Sequence, residues 1–187
     1  MKKRFIVCLI AGMFALSDSR ALCQMVIHAM TGTIRSVKSD ILSATANGST
    51  VTFALKPKTK VSYSFDGELR SDSVPANEFH KVGAFAVIYY YGLRRSRTAI
   101  AVKDLGAGPF YRATGTVKSF DKHNRRLTIT TTSGSTQTFT VSDKAVIDAG
   151  SRVIPGRKVE PHDGNHVRVT AISKDGMKTA VFIRLRR

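Results

Sequence analysis

Tryptophan is absent, cysteine occurs twice and acids are scarce, and each shortage narrows what this chain can do. Both cysteines, Cys8 and Cys23, stand within the first 23 residues. The remainder has no thiol for a disulfide framework, a redox pair or a cysteine-based metal site. Only 13 Asp and Glu oppose 30 Lys and Arg, for a formal charge of +17. Beyond the N-terminus no apolar run approaches the roughly 20 residues of a bilayer-spanning helix, so no transmembrane segment is expected in the mature chain. Proline is also sparse, at 5 residues, while 42% of the chain is hydrophobic, which describes a folded chain rather than a disordered or collagen-like one.

The N-terminus has the layout of a cleavable Sec-type signal peptide over residues 1–23. Lys2, Lys3 and Arg4 precede an apolar stretch from Phe5 to Leu16, and a polar, small-residue segment follows. Cuts after Ala21 and after Cys23 both satisfy the small-residue rule. Lipidation of Cys23 is the rival, against which Arg20, Ala21 and Leu22 make a poor lipidation box. The expected location is periplasmic or secreted. Lys2, Lys3, Arg4 and Arg20 less Asp18 give the leader a net +3, which leaves +14 on the mature chain. Such a surface attracts polyanions at long range and with strong salt sensitivity, or simply confers solubility and loose adhesion.

An internal duplication organises what remains. Thr31-Gly32-Thr33-Ile34-Arg35-Ser36-Val37 returns 83 residues later as Thr114-Gly115-Thr116-Val117-Lys118-Ser119-Phe120. Asn47-Gly48-Ser49-Thr50-Val51-Thr52-Phe53 answers to Ser133-Gly134-Ser135-Thr136-Gln137-Thr138-Phe139, Gly83 to Gly164, and Arg97 to Val102 answers to Lys178 to Ile183. The expected units are 24–105 and 110–187, joined by a linker at 106–109.

Within each copy the hydrophobic period is two, the mark of half-buried strands. Strands are expected at Thr31 to Val37, Ile41 to Thr45, Val51 to Leu55, Ala84 to Tyr91 and Thr98 to Asp104. Their counterparts are Thr114 to Phe120, Leu127 to Thr131, Gln137 to Val141, His166 to Ala171 and Thr179 to Leu185. A short extra piece is expected at Lys60 to Tyr63 and at Ala145 to Asp148. Asn47-Gly48 and Ser133-Gly134 supply hairpin turns. Helix is scarce, with one short turn expected near Val74 to His80. Short alternating strands at this density are best satisfied by closure, which removes exposed edges. The expected fold class is all-β: two tandem, small, five- to six-stranded antiparallel barrels, OB-like.

These marks resemble a family of exported bacterial domains of unknown function, small repeated β-barrels. The likeness is carried by Gly32-Thr33-Ile34 with Gly83-Ala84-Phe85-Ala86-Val87-Ile88, and by Gly115-Thr116-Val117 with Gly164-Asn165-His166-Val167-Arg168-Val169. It spans nearly all of the mature chain and brings no activity with it. Ser64 to His80 stands out as an insertion in the first copy, and the Tyr-rich fourth strand also departs from the pattern.

Candidate binding residues lie in two hairpins. Tyr89 and Tyr91 stand beside Arg94, Arg95 and Arg97, setting aromatic faces near guanidinium groups, and the first hairpin of the second copy carries Lys122, Arg125 and Arg126. In OB-type barrels such loops flank the ligand face. The bland reading is that alternate tyrosines are core and the arginines are solvated turn residues. His162-Asp163-Gly164-Asn165-His166 reads first as a turn, and no metal or cofactor is expected. There is no Gly-x-Ser-x-Gly elbow, no His-Glu-x-x-His and no phosphate-cradling Gly loop, so the expectation is a non-enzymatic module. An anionic envelope polymer is its expected partner. An exported nucleic-acid-binding protein is the second reading, and a hydrolase acting on envelope polymers the third.

Overall fold

The computed structural model describes residues 25–55, 65–94, 96–174 and 176–186. The expected leader, the short piece expected at Lys60 to Tyr63, and Arg95 therefore lie outside the described residues. The first sheet contains β1 (His28–Val37), β2 (Ile41–Ala46), β3 (Ser49–Leu55), β4 (Val74–Pro75), β5 (Phe85–Tyr91) and β6 (Thr98–Asp104), with the five-residue helix α1 (Gly67–Ser71) before β4. The second contains β7 (Phe110–Asp121), β8 (Arg126–Thr131), β9 (Thr136–Asp148), β10 (Val153–Pro155), β11 (His166–Lys174) and β12 (Met177–Arg186).

Strand order is β3-β2-β1-β5-β6-β4 in one sheet and β10-β9-β12-β11-β7-β8 in the other, closed by β3 on β6 and by β8 on β9. Leaving out the short β4 and β10, both five-stranded rings follow one route. The opening strand lies between the second and fourth, and the fifth returns beside the third. That is the OB-like barrel expected from the alternation, written twice. The pairing is antiparallel except at one seam per ring, where β6 runs parallel to β3 and β12 parallel to β9.

The two rings share their irregularities as well. The pairing of the first and second strands slips at Arg35 and again at Lys118, and that of the fourth and fifth slips beside Tyr89/Tyr90 and again beside Thr170/Ala171. Bulges of this kind bend and twist a strand, which is what a small barrel needs at its corners. The repeated Gly of Thr-Gly-Thr has a steric reason: a Cβ on Gly32 would sit 2.9 Å from the Thr45 carbonyl oxygen, and one on Gly115 would press harder still on that of Thr130.

Each ring encloses its own core. Ile34, Leu42, Phe53, Ile88, Tyr90 and Val102 fill the first, and Val117, Leu127, Phe139, Val141, Val169 and Ile183 the second. A third cluster joins them: Ala29, Val87, Tyr89 and Ala101 on the outside of the first ring pack, with Phe65 and Leu69, against Val146, Val153 and Phe182 of the second. Around this seam Lys158 pairs with Asp66 at 2.8 Å, Arg157 pairs with Glu68, and the Lys103 ammonium donates to the Lys144 carbonyl at 2.9 Å.

Two expectations change. Ala145 to Asp148 is the end of one long strand, β9, and not a separate piece. The polar Ser142-Asp143-Lys144 interrupts the alternation, and a slip in the pairing with β12 absorbs the break. Ser64 to His80 is only partly an insertion. Val74-Pro75 and the 3-10 turn Ala76–Glu78 lead to Phe79, just as Ile154-Pro155 and the turn Gly156–Lys158 lead to Val159. Phe79 and Val159 are both buried plugs of their own cores. Only the proline is identical between these segments, so α1 is what is particular to the first copy.

Candidate anion-binding site

The loop joining β5 to β6 presents less aromatic surface than its sequence promises. Tyr89 is 0% exposed and lies edge-on to Phe65, 4.6 Å between centroids, inside the seam between the barrels. Tyr90 points the other way, into the first core, against Phe53 at 5.4 Å. Tyr91 is half-buried against the seam cluster. A ring spent on packing has no face left for a base or sugar. Arg97 sits 5.7 Å from the Tyr90 ring centroid and is half-buried, whereas Arg94 is exposed with φ of 51°. Leu93 at the tip is 73% exposed.

The hairpin joining β7 to β8 belongs to the other barrel. Lys122 is paired with Glu160. Arg125 turns back on its own barrel: it meets Asp143 at 3.0 Å and donates to the backbone carbonyls of Val141, Gly156 and Arg157, fastening the 3-10 turn to β9. Arg126 is exposed and borders a shallow trough of about 590 Å³ with Asn124, Thr138, Thr140, Met177 and Lys178. The Lys178 ammonium lies 4.0 Å from the Tyr111 ring centroid, and Tyr111 donates to Gln137 at 2.7 Å. Among the described candidate bases of the two hairpins, then, Arg94, Lys122 and Arg126 face solvent, while Arg125 is a structural brace.

A denser basic cluster lies on strands rather than loops. On the outer face of the second barrel Arg168 of β11 stands opposite Arg184 of β12 and Thr114 of β7. One row along, His166 stands opposite Arg186 and Thr116, and on the other side Thr170 stands opposite Arg112 and Phe182. Burial first, and then the guanidinium groups of Arg186, Arg184 and Arg112, pull Arg168 below the ordinary guanidinium range. The carboxylate that approaches this cluster is Asp148, which is 0% exposed. It lies 3.5 Å from Arg184 and accepts from the Gly150 N–H at 2.9 Å and the Ala29 N–H at 3.3 Å. Sequence reading passed over these arginines because basic residues inside strands look like ordinary solvated positions. The signal was present as alternation: Arg184 and Arg186 share the outward parity of Phe182, and Arg168 that of His166.

His162 to His166 forms a turn, as expected. Gly164 has φ of 83°, and the Asn165 N–H donates to the His162 carbonyl at 3.1 Å. The His166 ring lies 3.3 Å from the Thr116 hydroxyl. No helix among the described residues is long and apolar enough to cross a membrane.

No family model matches the chain, and no curated protein matches it by sequence. Solved structures do. A structure of silver(I)-bound CusF is 18% identical with a TM-score of 0.33, covering 42% of this chain and 99% of its own. CusF–Ag(I) residues 10–88 from Escherichia coli is 17% identical with the same TM-score, covering 43% and 95%. Apo-CusF residues 6–88 from Escherichia coli is 16% identical, again at 0.33, covering 45% and 95%. Each aligns with less than half of this chain. The barrel assignment itself rests on strand order and ring closure.

Proposed function

We propose that the protein is a non-enzymatic binding module of two packed barrels, the units 24–105 and 110–187 joined at 106–109. It is exported by the leader at 1–23 and holds an anionic polymer of the cell envelope on its basic surface. The observation that carries this reading is where the acids go. Asp66, Glu68, Asp72, Asp104, Asp143, Asp148 and Glu160 each lie within ion-pair distance of a base of this same chain. With these acids engaged internally, exposed bases among the described residues, including Arg94, Arg112, Arg126 and Arg186, present positive charge to solvent. The resemblance to exported repeated barrels supports the compartment.

The test is capture from envelope extract on the immobilised full protein. The expected result is recovery of an acidic polymer that is released at 1 M salt, where the screening length falls to about 3 Å. Recovery of an uncharged polymer, or retention indifferent to salt, would overturn the reading.

A further inference from the structure

We propose that the outer face of β7, β11 and β12 is the binding surface and that it reads tetrahedral oxyanions, phosphate or sulfate esters, spaced along a linear polymer. The proposal rests on the polyanion reading and narrows it.

The duplication supplies the first argument. In the first barrel the equivalent outer positions are Ala29, Val87, Tyr89 and Ala101, and they are buried because the second barrel sits on them. In the second barrel the same positions carry Arg112, Arg168, Thr170 and Phe182: Thr170 and Phe182 are buried in the same seam, whereas at Arg112 and Arg168 two apolar residues have given way to guanidinium groups. A face that merely needed solubility would be served by scattered charges of both signs. Here Arg112, Arg168, Arg184 and Arg186 stand close enough for the other three to disfavour the charge on Arg168. Like charges gathered in this way destabilise the unliganded fold, and a bound polyanion relieves the repulsion.

The second argument is geometric. Neighbouring strands lie about 4.8 Å apart and successive outward residues about 6.8 Å apart. The solvent-facing rows Arg186–His166–Thr116 and Arg184–Arg168–Thr114, with Arg112 at the edge of a third row whose Thr170 and Phe182 are buried against the first barrel, therefore make a basic stripe roughly 14 Å long. Two of the four arginines are held before any ligand arrives. Arg112 lies over the Phe85 ring, 5.1 Å from its centroid, and Arg184 is held by Asp148. A carboxylate offers two oxygens in one plane, both engaged by one guanidinium fork, whereas a phosphate or sulfate ester keeps a further oxygen, tetrahedrally placed, for a second fork or a threonine hydroxyl. Thr114 is exposed beside Arg168 and can supply that hydroxyl.

The experiment measures affinity of the full protein for inorganic polyphosphate, dextran sulfate and polyglutamate at matched charge and salt. Wild type is expected to bind the first two more than about tenfold tighter than polyglutamate. Arg112→Gln, Arg168→Gln and Arg186→Gln together are expected to weaken polyphosphate binding more than about tenfold and to flatten its logarithmic salt slope by about 2. The charge-matched Arg94→Gln, Arg97→Gln and Arg126→Gln protein is expected to lose less than about threefold. Arg168→Lys, which keeps the charge and removes the fork, is expected to keep the slope and melting temperature while losing preference for phosphate over carboxylate. Should the triple variant not fold, the exposed Arg186→Gln and Arg112→Gln singles carry the same comparison. Loss confined to the loop variant would overturn the face and leave the polyanion reading standing. Equal affinity for polyglutamate would overturn the oxyanion chemistry. No binding of any polyanion by wild type would remove the underlying reading itself.

Discussion

Tyr89 carries a buried hydroxyl that finds no hydrogen-bond partner among the described residues. Burial, and then the charge of Asp72, pushes its phenol far above the ordinary range, so the ring behaves as a large apolar body with a polar atom to accommodate. Leaving such a group unpaired costs about 1–3 kcal/mol, and Tyr89→Phe is therefore expected to leave stability unchanged or raise it by about 1 kcal/mol in urea unfolding. A loss of more than that would mean the hydroxyl is satisfied. The Tyr-rich run was legible as a strand, but its use was not. Alternation says that Tyr89 faces outward from its barrel, and only the second barrel's position says that outward is also buried. Gly115 shows the reverse case. Its repeat was plain in the sequence, and the structure adds why it matters, since a Cβ would press on the Thr130 carbonyl. Gly115→Ala is expected to cost more than about 2 kcal/mol, and more than Gly32→Ala, where the contact is looser.

At the scale of elements, Arg125 decides how β9 and the 3-10 turn before Val159 are joined. Sequence places it among basic hairpin residues indistinguishable from Arg126, and only the fold shows that its guanidinium is occupied by carbonyl oxygens and Asp143. Arg125→Ala is expected to destabilise the protein by about 1–3 kcal/mol while leaving polyanion affinity within about twofold, as read by denaturation and by titration with polyphosphate. A large affinity loss in a protein of unchanged stability would return Arg125 to the binding surface. Strand existence was legible almost throughout, because alternation is strong wherever one face is core. The parallel seams and the second 3-10 turn were not. The seams depend on which strands the closing ring brings together, and the turns share one proline and a buried plug whose side chain differs, Phe79 against Val159.

For the whole molecule, the seam between the barrels joins apolar packing to paired charge. Asp66 shows the balance. Burial alone would raise its pKa, but the hydrogen bond from Lys158, the Glu68 N–H and the charge of Lys158 outweigh it and hold the carboxyl below its usual value. Asp104 is lowered chiefly by the Gly106 N–H, with Lys81 adding to it against burial. A carboxyl lowered in the folded state stabilises fully above the unfolded value of about 3.9, and that contribution disappears as pH falls through the folded value. The melting temperature is accordingly expected to be insensitive to these groups from neutral pH down to about 5 and to drop below about 4. Lys158→Gln is expected to shrink that drop, and an unchanged acid profile would show that the pair contributes nothing.

The charge surplus acts at the same scale, and its most direct test is the salt dependence of polyphosphate binding by the intact protein. A surface that works by displacing counterions should give a straight fall of log affinity against log salt, about 0.7 in slope for each phosphate neutralised on a flexible polyanion. Four arginines in register give an expected slope near −3. A slope indistinguishable from zero, with binding still present, would contradict the account.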